Sequence, residues 1–135
     1  CINYIKERTE GIPHSKSTFF KHLYETYNIL KSMGLSQDIC IAGLFHAVYG
    51  TTYFKHNLTI SREEVRELIG DYAEHLVYTF CSMPDRTTTI INENKKGNTK
   101  MFHLACIEYA NLVEQQPRFN GLQNSINTLY SIIYD

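Results

Sequence analysis

The sequence has no tryptophan, no long apolar run and almost no net charge. A membrane-spanning helix needs about 18 or more consecutive apolar residues, so we expect no membrane segment. Thirteen lysines and arginines stand against fourteen aspartates and glutamates. This balance argues against nucleic acid as a partner, because phosphate binding needs a concentrated basic surface. The 135 residues are enough to bury one core, so 1–135 is predicted to be a single domain.

Cysteine is present but in no metal-binding or redox spacing, since no Cys-x-x-Cys pair occurs. Cys40, Cys81 and Cys106 stand in apolar stretches, where a free cysteine behaves as a small hydrophobe. Reduced, buried thiols predict a cytoplasmic protein, with a disulfide framework as the alternative. The chain begins at Cys1 without a signal-peptide pattern, so we expect a trimmed or processed chain that belongs to a longer protein.

Helical periodicity runs through most of the chain, with apolar residues recurring three and four positions apart. Ser61 to Glu64 forms a capping box, which is typical of a helix start. The sequence therefore predicts an all-α, compact bundle of five to seven helices. The predicted helices span 16–33, 36–49, 61–70, 71–80, 99–115 and 120–134, with a connection at 51–60.

The segment 83–98 lacks this periodicity and is predicted to be irregular. Irregular segments longer than about 12 residues tend to be functional or mobile. A short strand at 88–91 is the alternative.

Two of the six histidines lie on predicted inward faces. His22 shares a helical stripe with Phe19 and Leu23, and His46 shares one with Ile39. A buried imidazole needs a hydrogen-bond partner or a metal. Each histidine alone is most simply a satisfied core residue, but two on neighbouring antiparallel helices predict a shared site.

The remaining histidines divide into one candidate and three others. His14 stands just before the first predicted helix, where it can fold over the helix N-terminal end. His56, His75 and His103 are predicted at the surface or the rim, without a role.

A polar stripe formed by Glu108, Asn111 and Gln115 shares one face of the predicted helix 99–115. One interpretation is a solvated face. The other is that Glu108 and Asn111 face the histidines across the core, with Tyr109 and Glu114 on the water side.

His22, followed by the segment A-G-L-F-H-A-V-Y at 42–49, resembles the core of an HD-domain protein. The segment 22–115 is most similar to the hydrolase domain of RelA/SpoT-type enzymes, which cleave hyperphosphorylated guanine nucleotides. The chain is also similar to a family of small bacterial HD-like proteins. Their shared motifs are P-H-S, A-G-L-F-H-[SA]-x-Y-G-T, A-E, D-R and E-x-x-A-N. The first four are here at 13–15, 42–51, 73–74 and 85–86, and the last is matched by Glu108 with Ala110 and Asn111, one position shorter.

The HD resemblance implies a divalent metal held by two histidines and two aspartates. His22 and His46 match the histidines, whereas Ala47 and Asn111 stand where the aspartates are expected. The acidic pair of RelA/SpoT hydrolases falls on residues 50–51, which are Gly and Thr. Losing the anionic ligands weakens a site for Mn²⁺ or Mg²⁺, which prefer oxygen donors.

The metal prediction therefore has two branches. One is a weak site for Zn, Fe or Mn at His22, His46 and Asn111, to which His14 or Glu108 adds a further donor. The other is no metal at all.

The first predicted function is an enzyme, a hydrolase or lyase, acting on a small polar or anionic molecule of the nucleotide or phosphate type. General acid–base catalysis would fall to His14, His22 or His46, oriented by Glu74 or Glu108. Arg86 would bind an anion through its bidentate guanidinium. The predicted substrate-binding residues are Tyr49, Glu74, Asp85, Arg86 and Asn111.

The second predicted function is a catalytically inactive HD-like module that binds a small molecule or a protein. Its tyrosines suit a pocket lining or an interface. The apolar face of the final helix, with Ile126, Leu129, Ile132 and Ile133, is a candidate for pairing two copies into a homodimer.

Overall fold

The computed structural model describes residues 1–14, 17–51, 56 and 58–135, and nearly all regular structure in these ranges is helical. The all-α prediction is confirmed. The described residues hold eight α-helices, one more than the predicted upper number. The elements are α1 (Ile2–Thr9), β1 (Pro13–His14), β2 (Ser17–Thr18), α2 (Phe19–Ser32), α3 (Gln37–Leu44), α4 (Arg62–Ile69), α5 (Asp71–Ser82), α6 (Arg86–Asn94), α7 (Thr99–Gln115), a 3-10 helix (Gln116–Arg118) and α8 (Gln123–Tyr134).

Helix starts follow the capping chemistry of the sequence. The side chains of Thr18, Ser61 and Asn98 accept hydrogen bonds from backbone N–H groups three residues ahead, at the starts of α2, α4 and α7. Each cap satisfies a donor that the helix itself leaves unpaired. Gly70, with φ of 92°, ends α4 and begins α5, a backbone conformation that glycine adopts without strain.

The irregular segment predicted at 83–98 is wrong, as is its alternative strand. Residues 86–94 form α6, which begins after Asp85 in the left-handed region. Arg86 and Ile90 lie one helical turn apart and are both buried. Packing of this face against α7 outweighs the strand preference of the threonine- and isoleucine-rich sequence.

The helix predicted at 36–49 is too long, because α3 ends at Leu44 and is followed by turns. Phe45, His46, Ala47 and Val48 are all buried. Four consecutive inward side chains do not fit one helix face, so the turn orients them all toward the core.

Helix α7 is central, since it packs on α2, α3, α5, α6 and α8. In α8, Ile126 and Leu129 are buried within the chain, so the face predicted to join two copies is already largely covered.

Among the described helices, none combines the length and apolar content that crossing a membrane requires. Residues 52–55 and 57 of the predicted connection, and Ser15 of the P-H-S motif, lie outside the described residues.

Candidate functional site

A cavity of about 480 Å³ brings the three candidate histidines together. Its walls come from the strand β1, from α2, from the turn after α3, from the start of α6, from the C-terminal half of α7 and from the segment after the 3-10 helix. The lining residues are His14, His22, His46, Ala47, Thr51, Arg86, Thr87, Asn111, Leu112, Gln115, Phe119, Asn120 and Leu122.

His22 on α2 and His46 in the turn after α3 form one row of close polar contacts with a glutamate. His22 Nδ1 lies 2.5 Å from Glu114 Oε1, and His22 Nε2 lies 3.1 Å from His46 Nε2. His46 Nδ1 donates to the Gly43 carbonyl at 2.7 Å. Glu114 Oε1 also accepts from Arg118 Nη2 at 2.5 Å. Both ring nitrogens of both histidines therefore have a defined neighbour.

His14 completes the histidine cluster from β1. Its ring stacks on that of His22 with centroids 4.3 Å apart and an interplanar angle of 17°. Phe19 also stacks on the His14 ring, with ring centroids 5.9 Å apart. The short strand pair β1–β2 thus holds His14 against the first turns of α2, as the sequence predicted.

Burial dominates the protonation behaviour of the cluster. It lowers the pKa of His22 and of His46 well below the usual value of 6.5, and lowers that of His14 as well. His14 and Arg118 lower the pKa of His22 further, and a hydrogen bond with Asn111 opposes this change. Burial therefore favours the neutral imidazole at both His22 and His46.

A second network surrounds the fully buried carboxylate of Glu108. This carboxylate accepts from Arg86 Nε at 3.0 Å, from Thr87 Oγ1 at 2.6 Å and from Asn111 Nδ2 at 2.9 Å. Arg86 also lies 4.2 Å from the Phe80 ring centroid. Glu108 does not line the cavity, but all three of its donors do. Glu108 therefore holds the polar wall in place.

Burial settles the interpretation of the α7 stripe. Glu108 and Asn111 are 0% and 2% exposed, so a solvated face is wrong. Glu114, predicted on the water side, is also buried and contacts His22.

Tyr49, Glu74 and Asp85 are not among the lining residues. Glu74 accepts from Tyr49 Oη at 2.7 Å and from Arg62 Nε and Nη2 at 2.9 Å each. This cluster ties α4 and α5 to the turn after α3. Asp85 is exposed, and its backbone carbonyl accepts from Thr89 N. The structure thus separates these three from the histidines.

Sequence reasoning missed Glu114, Arg118, Thr87 and Phe119. The available signal for Glu114 was its position three residues after Asn111, which makes the two neighbours on the helix surface. The other three stand in segments without helical periodicity and gave no comparable signal.

The predicted metal site was tested against the donors present. In the parts of the chain that the structure describes, no group of three or more His, Cys, Asp or Glu side chains is arranged to hold a metal ion. The Asn111 amide is bonded to Glu108 and Gln115, and Ala47 supplies only a methyl group. Two imidazole nitrogens without an anionic oxygen do not fit the HD metal set.

Fold and site together define an all-α protein with a cavity lined by three buried histidines. The chain matches the family described as Domain of unknown function (DUF6817) over residues 5–86, which is more than half of its length. The chain belongs to this family. No curated protein matches the chain. No solved structure matches it either. The matched segment ends at Arg86, so the cavity residues of α7 lie beyond it.

Proposed function

We propose that the chain is an HD-like enzyme, a hydrolase or lyase, that binds a small anionic molecule in this cavity and acts on it by histidine acid–base catalysis. The observation that carries the proposal is the row Glu114–His22–His46, whose two histidines form part of the cavity wall. The volume of about 480 Å³ lies within the range of about 300–1,000 Å³ that is usual for small-molecule sites.

The charge of the wall favours an anion. Arg86 is the one permanently charged side chain among the described lining residues, and none of these residues is a carboxylate. Glu108 fixes the guanidinium of Arg86 through Nε from outside the cavity. Thr87 and Asn111 lie beside it on the same network. Guanidinium and hydroxyl groups are the usual partners of phosphate and carboxylate oxygens.

The cavity also has apolar lining. Leu112, Phe119 and Leu122 contribute it, and Phe119 is 47% exposed. A molecule that carries both an oxyanion and a flat or apolar group matches both kinds of lining residue. This mixed lining supports a ligand of the nucleotide or phosphate-ester type.

The histidines supply the acid–base chemistry. A neutral imidazole has one nitrogen free to accept a proton, and His22 and His46 are neutral because burial lowers the pKa of both. General acid–base catalysis by a positioned side chain contributes roughly 10²–10⁴-fold to a rate.

The free thiols of Cys40, Cys81 and Cys106 support the cytoplasmic setting that the sequence predicts.

The test is a melting screen against phosphate monoesters, nucleotides and small carboxylic acids, followed by turnover measurements on each compound that raises the melting temperature. We expect His46→Gln to reduce turnover by roughly 10²-fold or more. His75→Gln is the matched control, since His75 is exposed and lies outside the cavity. Equal turnover in both variants contradicts the catalytic role.

A non-catalytic binding module is the second candidate, and Ala47 favours it. Where the HD resemblance implies an aspartate, this chain has a methyl group. In that case a ligand raises the melting temperature, Arg86→Gln abolishes the shift, and no compound in the screen is turned over.

A further inference from the structure

We infer that Glu114 is a positioning residue: together with the Gly43 carbonyl it fixes both imidazoles as Nδ1–H tautomers, so that the Nε2 lone pairs of His22 and His46 meet at one proton-accepting point. This inference rests on the proposed acid–base function and assigns its proton to a particular place.

The tautomer of His46 follows from its acceptor. A backbone carbonyl only accepts, so the 2.7 Å contact between His46 Nδ1 and Gly43 O requires the hydrogen on Nδ1. A neutral imidazole carries one N–H, so Nε2 of His46 bears a lone pair.

The tautomer of His22 follows from Glu114. Two nitrogens, His22 Nδ1 and Arg118 Nη2, lie 2.5 Å from the same oxygen of Glu114. The guanidinium can only donate, so this oxygen accepts from Arg118, and a carboxylate oxygen has a second lone pair for His22. His22 then carries its hydrogen on Nδ1, and its Nε2 also bears a lone pair.

The two lone pairs face one another across 3.1 Å, a separation that leaves room for a hydrogen but for no heavier atom. The row has three close contacts, from Glu114 to His22, from His22 to His46 and from His46 to Gly43, while two neutral imidazoles supply two hydrogens. The middle contact is the one without a hydrogen.

A proton taken from a bound molecule fills that link. The H–X bond of the substrate or of an attacking water breaks, X keeps the electron pair, and a new N–H bond forms on one Nε2. The other Nε2 accepts this N–H as a hydrogen bond, and the positive charge lies next to the Glu114 carboxylate. In the reverse step the pair returns the proton to the leaving group. His22 and His46 thus act as one acid–base group.

The tautomers are measured by imidazole ¹⁵N NMR on the ligand-free protein at pH 7.5, with signals assigned through His22→Gln and His46→Gln. We expect Nδ1–H for both residues in the unsubstituted chain. Glu114→Met removes the acceptor at similar size, so we expect His22 to switch to the Nε2–H tautomer and donate to His46. Glu114→Gln retains an acceptor oxygen and is the matched control, with His22 still protonated on Nδ1.

Activity provides the second measurement, on a compound identified in the screen. We expect Glu114→Met to lower kcat by roughly 10²-fold with little change in KM. In this variant a hydrogen already lies between the Nε2 atoms of His22 and His46, so the pair cannot accept a proton there. Glu114→Gln retains more activity than Glu114→Met. A purely structural role for Glu114 would instead change stability without changing the tautomer.

Two results overturn the inference. One is an Nε2–H tautomer of His22 in the unsubstituted chain. The other is an unchanged Nδ1–H tautomer in folded Glu114→Met. Absence of turnover with the expected tautomers contradicts the proposed function alone, so the two failures are distinguishable.

Discussion

An ideal Cβ on Gly43 would lie 2.2 Å from Leu30 Cδ1, so α3 approaches α2 closely at this point. Leu30 is fully buried, so its side chain would have to shift within the packed core to make room for that Cβ. The same glycine supplies the carbonyl that binds His46. Close helix packing and histidine orientation therefore depend on one residue.

Gly43→Ala is expected to lower the free energy of unfolding by about 1–3 kcal/mol, as overpacked core substitutions do. Urea denaturation measures this change. Gly11→Ala is the control, because a Cβ there has no atom within 4 Å, and we expect it to be neutral or slightly stabilising. A neutral Gly43→Ala would show that the Leu30 side chain shifts aside at no cost to stability.

Glu108→Ala is expected to lower the free energy of unfolding by about 3–5 kcal/mol, since Arg86 then loses the carboxylate that compensates its buried charge. The control is Glu93→Ala, which removes an exposed ion pair with Lys96 and should stay within about 0.5 kcal/mol. Chemical denaturation distinguishes them. Equal effects would mean that the Glu108 network adds nothing to stability.

Acidification is expected to destabilise the protein below pH 6.5. Burial lowers the folded-state pKa of His22 and His46, so the unfolded chain binds more protons in this window. Stability is fully present above the unfolded-state pKa of about 6.5 and falls as the pH drops below it. Each histidine contributes at most about 1.4 kcal/mol per pH unit.

The measurement is the free energy of unfolding between pH 7.5 and 5.5. His46→Gln should make the decline shallower, whereas the exposed His75→Gln should leave it unchanged. A steeper decline in His46→Gln would reverse the predicted sign.

Removal of metal is expected to leave the melting temperature unchanged. Among the described residues, no third His, Cys, Asp or Glu joins His22 and His46 in an arrangement that could hold a metal ion. Protein purified without chelator is analysed for Zn, Mn and Fe, then melted with and without EDTA. Stoichiometric metal, with a lower melting temperature after chelation, would contradict this reading of the donors.

Local patterns were sufficient to predict most of the helices. Periodicity marks α2 and α7 in the sequence, and the capping box at Ser61 marks α4. Helix α6 has no such pattern, because its burial comes from contact with α7 and not from its own composition. The turn after α3 was missed for a related reason, since only tertiary packing shows four consecutive residues buried together.

The residues of the candidate site likewise divide into those that local sequence patterns predict and those that only tertiary contacts reveal. His22, His46 and His14 were predicted because histidines on apolar faces stand out in a sequence. Glu114 was placed on the water side because nothing local shows that the end of α7 lies against α2. Its contact joins residues 92 positions apart, which periodicity alone does not reveal.

Helix α7 carries Glu108, Asn111 and Glu114 within two turns, and they serve both polar networks. Each residue of an α-helix advances the side-chain direction by about 100°. A single residue inserted or deleted within α7 before Glu108 would therefore rotate all three away from Arg86 and His22 at once. Length changes should be tolerated in the loop between α6 and α7, which joins these helices without entering the cavity, and should be excluded from the helix that follows it.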